Sequence, residues 1–186
     1  MYAGVYAEED SVTNDEIKAL LDYHYWARDR MLAALDALTS EQFTQPIESS
    51  FKSIRDTAVH IMGAEAVWYS RWRGNPQAML TTEGFRDVAS LRSAWRELES
   101  GVRAFFEGLG ADEIETRIEY KSLKGEPHSS SFRQMLQHVV NHATYHRGQV
   151  TTMLRQIGVK VPESTDLIAF YRMQEKTQAA VPGRTA

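Results

Sequence analysis

Apolar residues recur along this chain at intervals of three and four positions, which is the period of an α-helix with one buried face. The pattern is clearest in segments that each have the length of a helix, which run from about Thr13 to Leu38, from Ser53 to Arg73, from Ser90 to Leu109 and from Ser131 to Gly158. Long amphipathic helices bury their apolar faces most simply against one another. The pattern therefore predicts an all-α protein built as a four-helix bundle.

Polar residues and glycines mark where these predicted helices begin and end. Thr13 and Glu16 have the spacing of a capping box, and Ser131 and Gln134 repeat that spacing at the last helix. Gly74 follows the second segment, in the position where a helix commonly ends. Such residues satisfy the backbone groups that a helix end leaves unpaired, so these boundaries are predicted from local sequence.

The helical period is interrupted before the last long helix. The stretch "TRIEYKSLKGEPHSS", from Thr116 to Ser130, alternates briefly and contains a glycine, which is typical of a short β-hairpin. After Pro162, "STDLIAFYR" predicts a short C-terminal helix. One domain is expected over residues 1–176, and residues 177–186 are expected to form a disordered tail.

The composition excludes several classes of protein. The 186 residues include no cysteine, which excludes disulfides, cysteine zinc sites and a cysteine nucleophile. The net charge is −4 and the basic residues are scattered, so a nucleic-acid partner is not expected. No signal-peptide pattern or run of about 20 apolar residues is present, so we expect a cytoplasmic protein without a membrane partner.

Three of the six histidines lie four residues apart in "HVVNHATYHRGQV". At about 100° per residue, His146 and His142 lie roughly 40° and 80° from the centre of the apolar stripe, and His138 lies roughly 120° from it. The first two therefore flank the core one turn apart, as two metal ligands on a helix would. A third ligand must come from elsewhere, and the remaining histidines include His60, where the small Ala64 would leave room for an ion, and His24, on the apolar stripe of the first helix.

A helical histidine is more often a packed or solvated residue than a ligand, so spacing alone leaves that alternative open. His128 lies in a polar loop and is predicted to be exposed.

Three segments resemble the helical signatures of DinB-like proteins, within the wider superfamily of DinB and YfiT-like metalloenzymes. They are "DYHYWARDRMLAAL", "FKSIRDTAVHIMGAEAVWYSRWRG" and "HVVNHATYHRGQVTTMLRQIG". The resemblance covers about residues 14–172 and is most specific in "NHATYHRGQ", a His-x-x-x-His-Arg-Gly-Gln pattern. It implies a metal-binding four-helix bundle, often a homodimer, in which His60, His142 and His146 hold one divalent ion.

Three neutral imidazoles leave a divalent ion with an open coordination position, as in catalytic sites. Zinc is the expected ion and nickel is an alternative, since both accept imidazole nitrogen. Relatives in the superfamily are transferases of low-molecular-weight thiols such as bacillithiol or mycothiol. The leading hypothesis is therefore a metal-dependent thiol S-transferase, with such a thiol and a small electrophile as substrates. The alternatives are a metal-dependent hydrolase and a stress-related protein that binds metal without catalysis.

Further polar residues are candidates for the surroundings of the ion. His24 and Arg28 fall on the apolar stripe of the first helix, where they could line a polar pocket and bind a substrate carboxylate. The alternative is that Arg28 extends to the surface. Glu65 and Arg147 are expected to pair, unless Glu65 orients a ligand histidine. His138 is a further pocket candidate.

Trp26 lies opposite the apolar stripe of the first helix. An exposed tryptophan at that position indicates a contact across the homodimer, unless the buried face of the first helix is rotated from the one that its apolar residues define.

Overall fold

The computed structural model describes residues 14–122 and 124–179. Its helices are α1 (Asn14–Leu35), α2 (Ser40–Thr44), α3 (Ile54–Trp72), α4 (Val88–Glu107), α5 (Ala111–Ile114), α6 (Phe132–Gln156) and α7 (Leu167–Ala179). The strands β1 (Arg117–Lys121) and β2 (Pro127–Ser131) form one antiparallel hairpin. The predicted fold class, a four-helix bundle with a hairpin before the last long helix and a short C-terminal helix, is confirmed. The short helices α2 and α5 were not predicted.

Helices α3 and α6 form the central pair of the bundle, and α1 and α4 complete it. The Thr57 hydroxyl lies 3.4 Å from the sulfur of Met153, and farther along α3 the Trp68 ring lies 5.2 Å from the ring of His138. From the first contact to the second, the residue number increases on α3 and decreases on α6, so the two helices are antiparallel. One side-chain row of α3 therefore faces the histidine row of α6 along its length.

Local capping sets the ends of these helices, largely as predicted. Ser53 accepts a hydrogen bond from the Asp56 backbone N–H at the start of α3. Ser131 and Gln134 form the predicted capping box of α6. The cap predicted at Thr13 lies outside the described residues. Helix α1 ends at Leu35, earlier than expected, because the chain turns there to enter α2.

The hairpin is fixed beside the groove between α3 and α6. Strand β2 ends at Ser131, the residue that caps α6, so the hairpin continues directly into that helix. On the other side, Arg71 of α3 donates from Nη2 to the carbonyl oxygen of Lys121, at 3.1 Å. These two attachments hold Tyr120 of β1 over the end of the groove.

The C-terminal helix α7 covers the surface of α1 that carries Trp26. Phe170 of α7 is buried, with its ring 5.5 Å from that of Trp26 and 5.9 Å from that of Tyr23. Trp26 is therefore half-buried within one chain and not exposed as predicted, while its predicted contact across a homodimer stays a prediction. Helix α7 continues through Ala179, into the predicted tail, and residues 180–186 lie outside the described residues.

Over the described residues, none of the helices combines the length and the apolar character that crossing a membrane requires.

Candidate metal centre

His60 on α3 and His142 and His146 on α6 come together across the central groove. One ring nitrogen from each lies within 4.8 Å of those of the other two. The Nε2 atoms of His60 and His142 are 3.1 Å apart. The four-residue spacing on α6 places His142 and His146 on the same side of the helix, with ring centroids 4.4 Å apart. We call these three residues the histidine triad.

The triad fits a divalent transition-metal ion. Ligand nitrogens bound to zinc at about 2.0–2.1 Å in a tetrahedral arrangement lie roughly 3.3 Å from one another. The 3.1 Å separation of His60 and His142 is close to that value, and the 4.8 Å limit for the set requires only small side-chain rotations. Imidazole nitrogen suits zinc, nickel, copper and iron, so the donor set indicates the class of ion and not its identity.

The surroundings of the triad keep the imidazoles of His60 and His142 neutral. Burial, together with the neighbouring His146, His60 and His138, lowers the pKa of His142 to about 4. Burial and the proximity of His146 also lower the pKa of His60. A neutral imidazole has a free lone pair on one ring nitrogen, which is the form that binds metal.

Gln149 determines which nitrogen of His146 is available. The Nδ1 atom of His146 lies 2.7 Å from the side-chain oxygen of Gln149. Because an amide oxygen only accepts, Nδ1 donates the proton and the lone pair resides on Nε2. The Gln149 amide in turn donates to the Ser50 hydroxyl, at 3.1 Å, which fixes its orientation. Hydrogen bonds of this kind orient metal-binding histidines in many proteins.

Phe51 covers one side of the triad. Its ring centroid lies 4.4 Å from that of His60 and 5.5 Å from that of His146. The ring excludes water from that side, which strengthens electrostatic interactions at the triad. Access from solvent is therefore expected from the opposite side, along the groove.

A cavity of about 620 Å³ extends along the groove from the triad to the hairpin. His60 and His142 form part of its wall, and the small side chain of Ala64 leaves space beside them. Towards the hairpin the lining residues become aromatic and basic, and include Trp68, Arg71, Tyr120, Lys124 and His138. A cavity of this volume accommodates a small organic molecule next to the triad.

His138 and His128, which the resemblance did not make ligands, both line this cavity. His138 is exposed and packs edge-on against Trp68. His128 is exposed as predicted, although it lies on β2 and stacks 5.7 Å from the ring of Tyr120. Neither belongs to the group whose nitrogens converge.

Glu65 is part of a buried network that does not include the triad. Its carboxylate accepts hydrogen bonds from the Tyr25 hydroxyl at 2.7 Å and the Trp95 indole at 2.8 Å, and lies 3.0 Å from His24 Nε2. Burial raises the pKa of Glu65, but the adjacent His24 and these hydrogen bonds outweigh it and hold the pKa below its ordinary value. Within the described residues Glu65 forms no ion pair with Arg147, although its charge acts to raise the pKa of Arg147, and the histidine that it binds is His24 and not a member of the triad.

The other polar candidates also lie away from the triad. Arg28 is buried and binds Glu99 at 2.6 Å and Asp29 at 2.8 Å, so it neither extends freely to the surface nor lines the cavity. Arg147 is buried and donates to Thr144 at 2.7 Å. The stripe position of Arg28 correctly indicated burial, but its partners lie on the facing helix α4 and in the next residue.

Gln149, Phe51 and Arg71 were not among the site residues predicted from the sequence. Gln149 lies three residues after His146, which places its side chain beside that histidine on the helix, so its position did carry a signal. Arg71 lies eleven residues after His60 and about 20° from it around the helix, so its position also carried a signal. Phe51 lies in an irregular connection and had no signal in the spacing of residues.

This chain is similar to DinB and DinB-like proteins in both sequence and structure. The chain is 25% identical to Protein DinB of Bacillus subtilis (strain 168) over 166 residues, which cover 84% of this chain and 95% of that protein. A DinB-like protein from Bacillus cereus ATCC 10987 superposes with a TM-score of 0.63 at 23% identity, over 80% of this chain and 97% of that one.

YfiT from Bacillus subtilis, reported as a probable metal-dependent hydrolase with an unusual four-helix bundle topology, superposes with a TM-score of 0.65. Its identity is 14%, over 84% of this chain and 96% of that one, so this likeness concerns the fold. A model of the DinB family matches residues 11–179, which include every helix and strand of the bundle and all three histidines of the triad. With nearly the whole fold inside that match, this chain belongs to the DinB family.

Proposed function

We propose that this protein is a divalent-metal-dependent enzyme that transfers a low-molecular-weight thiol to a small electrophile. The observation that carries the proposal is the histidine triad, whose members His60 and His142 form part of the wall of a cavity of about 620 Å³. Three histidines with no protein carboxylate or thiolate among them leave the charge of a divalent ion uncompensated. When bound, the ion would supply a Lewis acid that lowers the pKa of a thiol or water in the cavity.

The chain's own residues divide the remaining work. His60, His142 and His146 would hold the ion, and the hydrogen bond from His146 to Gln149 presents the correct nitrogen. Phe51 keeps water from one side of the triad. The cavity between the triad and the hairpin would hold the organic substrate.

The scarcity of carboxylates in the cavity supports a thiol as the nucleophile. Among the described residues that line it, Glu126 is the one carboxylate, and its side chain is 66% exposed on the hairpin. Hydrolysis normally requires a positioned group that takes and returns protons. Thiol transfer requires less, because the thiol loses one proton to solvent, sulfur bonds to the electrophilic carbon, and the leaving group departs with its electron pair.

Metal content tests the first part of the proposal. We expect untagged wild-type protein to bind about one equivalent of zinc or nickel, and His142→Ala to lose it. His128→Ala is the matched control, since His128 lines the cavity outside the triad. Elemental analysis measures all three proteins. Wild-type protein that stays metal-free after reconstitution would contradict the proposal.

A thiol assay tests the second part. With L-cysteine and 1-chloro-2,4-dinitrobenzene, a sulfur–carbon bond forms and chloride leaves, which absorbance follows directly. We expect the metal-loaded wild type to accelerate this reaction and His142→Ala not to. Equal rates for the two proteins would refute thiol transfer for this substrate pair, and metal binding would stand unaffected.

A metal-dependent hydrolase is the second candidate. YfiT, a structural neighbour, is reported as a probable metal-dependent hydrolase, and a bound ion would lower the pKa of water in the cavity as it would that of a thiol. Metal-dependent cleavage of 4-nitrophenyl acetate without any thiol, lost in His142→Ala, would favour this candidate. Metal binding with neither activity would favour the remaining alternative, a non-catalytic metal-binding protein.

A further inference from the structure

The end of the cavity farthest from the triad combines one cation with two aromatic rings. The Arg71 guanidinium carbon lies 4.6 Å from the ring centroid of Trp68 and 5.2 Å from that of Tyr120. All three residues line the cavity.

The guanidinium of Arg71 is held in place while most of its donors stay available. Nη2 donates to the Lys121 carbonyl, at 3.1 Å, and the two rings restrict the plane of the group. Within the described residues Arg71 forms no ion pair with a carboxylate, whereas Arg28, Arg103 and Arg133 each do. Arginine presents a fork of donors that matches a carboxylate in two parallel hydrogen bonds.

The charges nearby favour an anion at this end. Lys124 adds a second cation to the lining of the cavity. Glu126 is the opposing charge, and its carboxylate lies 3.9 Å from Nε2 of His128. Two cations and one carboxylate with a histidine beside it therefore line this end of the cavity.

The distance between the two ends determines the shape of the ligand. At about 1.5 Å per residue, Arg71 lies roughly 16 Å from His60 along the axis of α3. The wall between them is mainly apolar, with Ala64, Val67 and Met79. A ligand that reaches both ends must be extended and apolar in its middle.

We propose that the cavity binds an extended small molecule with a terminal carboxylate, which pairs with Arg71 while its apolar body lies along the groove towards the triad. This inference rests on the proposed function, because it takes the cavity to be the place where the substrate binds. It adds the chemical class of the substrate and assigns Arg71 as the residue that determines specificity.

A matched pair of probes tests this proposal. We expect 6-phenylhexanoate to bind the zinc-loaded wild type at least about tenfold more tightly than 6-phenylhexanamide, which has the same shape without the charge. Arg71→Gln is expected to bring the two affinities within about twofold of each other, and Arg71→Lys to retain part of the preference. Isothermal titration calorimetry measures both ligands.

Arg73→Gln is the matched control, because Arg73 is a nearby arginine that makes the same change in net charge but does not line this cavity. It should keep the full preference. Circular dichroism checks that each variant is folded, and Arg71→Lys, which keeps the cation, distinguishes loss of charge from damage to the hairpin.

Removing the metal separates this proposal from the proposed function. The preference for the carboxylate should persist after chelation and in His142→Ala, because Arg71 does not depend on the ion. A preference that disappears with the metal would mean that the carboxylate binds the ion, and would overturn the proposal. Equal affinities for the two probes in wild type, or no binding of the carboxylate, would overturn it as well.

Discussion

Gln149 controls, at the scale of a single residue, which nitrogen of His146 can bind an ion. Gln149→Leu keeps the approximate size of the side chain and removes the acceptor that lies 2.7 Å from Nδ1. We expect the affinity for zinc to fall by about tenfold or more, since loss of such a hydrogen bond typically costs 10–100-fold. Competition with a chromophoric chelator measures the change.

Gln156→Leu is the control for that variant. Gln156 is exposed at the end of the same helix, so its replacement should leave zinc affinity unchanged. An unchanged affinity in Gln149→Leu would show that the packing of His146 alone sets its orientation.

At the scale of secondary-structure elements, the contacts of Glu65 join three helices, so its replacement should affect how these helices pack together. Its carboxylate, on α3, binds His24 and Tyr25 of α1 and Trp95 of α4. Removing one partner of a buried charged network leaves the others without compensation. We expect Glu65→Gln to lower the free energy of unfolding by about 3 kcal/mol at pH 7, as measured by urea denaturation.

The same variant should change the dependence of stability on pH. The pKa of Glu65 in the folded protein lies below its ordinary value of 4.5. The stability contributed by the ionised carboxylate is therefore fully present above pH 4.5 and is lost as the pH falls through the lower folded-state pKa. The difference in free energy of unfolding between wild type and Glu65→Gln should decrease below pH 4.5.

Glu163→Gln is the control for both measurements, the free energy of unfolding at pH 7 and its dependence on pH. Glu163 pairs with Arg30, but its side chain is 76% exposed, so its loss should have little effect at any pH. If the difference in free energy of unfolding between wild type and Glu65→Gln stays constant down to acid pH, the assignment of an ionised Glu65 would be contradicted.

Metal binding should stabilise the whole molecule, because the triad joins residues from α3 and α6 that are apart in the unfolded chain. At zinc concentrations about 100 times the dissociation constant, the expected gain is roughly 2.7 kcal/mol. For a chain of this length that corresponds to a rise in melting temperature of about 5–10 °C. Thermal unfolding followed by circular dichroism measures it.

The rise should be absent in His60→Ala and retained in His128→Ala. An equal rise in both variants would place the stabilising ion outside the triad. The homodimer and the cytoplasmic location expected from the sequence stay predictions.

Much of the fold was predictable because it depends on local signals. The apolar period predicted α1, α3, α4 and α6, and the capping box at Ser131 and Gln134 predicted where α6 begins. The short α2 and α5 were missed, since each has too few residues to show a period. Trp26 was misplaced because the residue that covers it, Phe170, is distant in sequence.

The sequence by itself determined the class of the bundle, the pairing of His142 and His146 on one helix face, and, through family resemblance, the inclusion of His60. The first two depend on helical geometry, which relates neighbours in sequence by fixed angles. Only the tertiary structure decided that Glu65 binds His24, that Arg28 binds Glu99, and that Arg71 faces the cavity. Such contacts join different helices, and their partners depend on how the helices are rotated and aligned against each other, which the period of one helix does not specify.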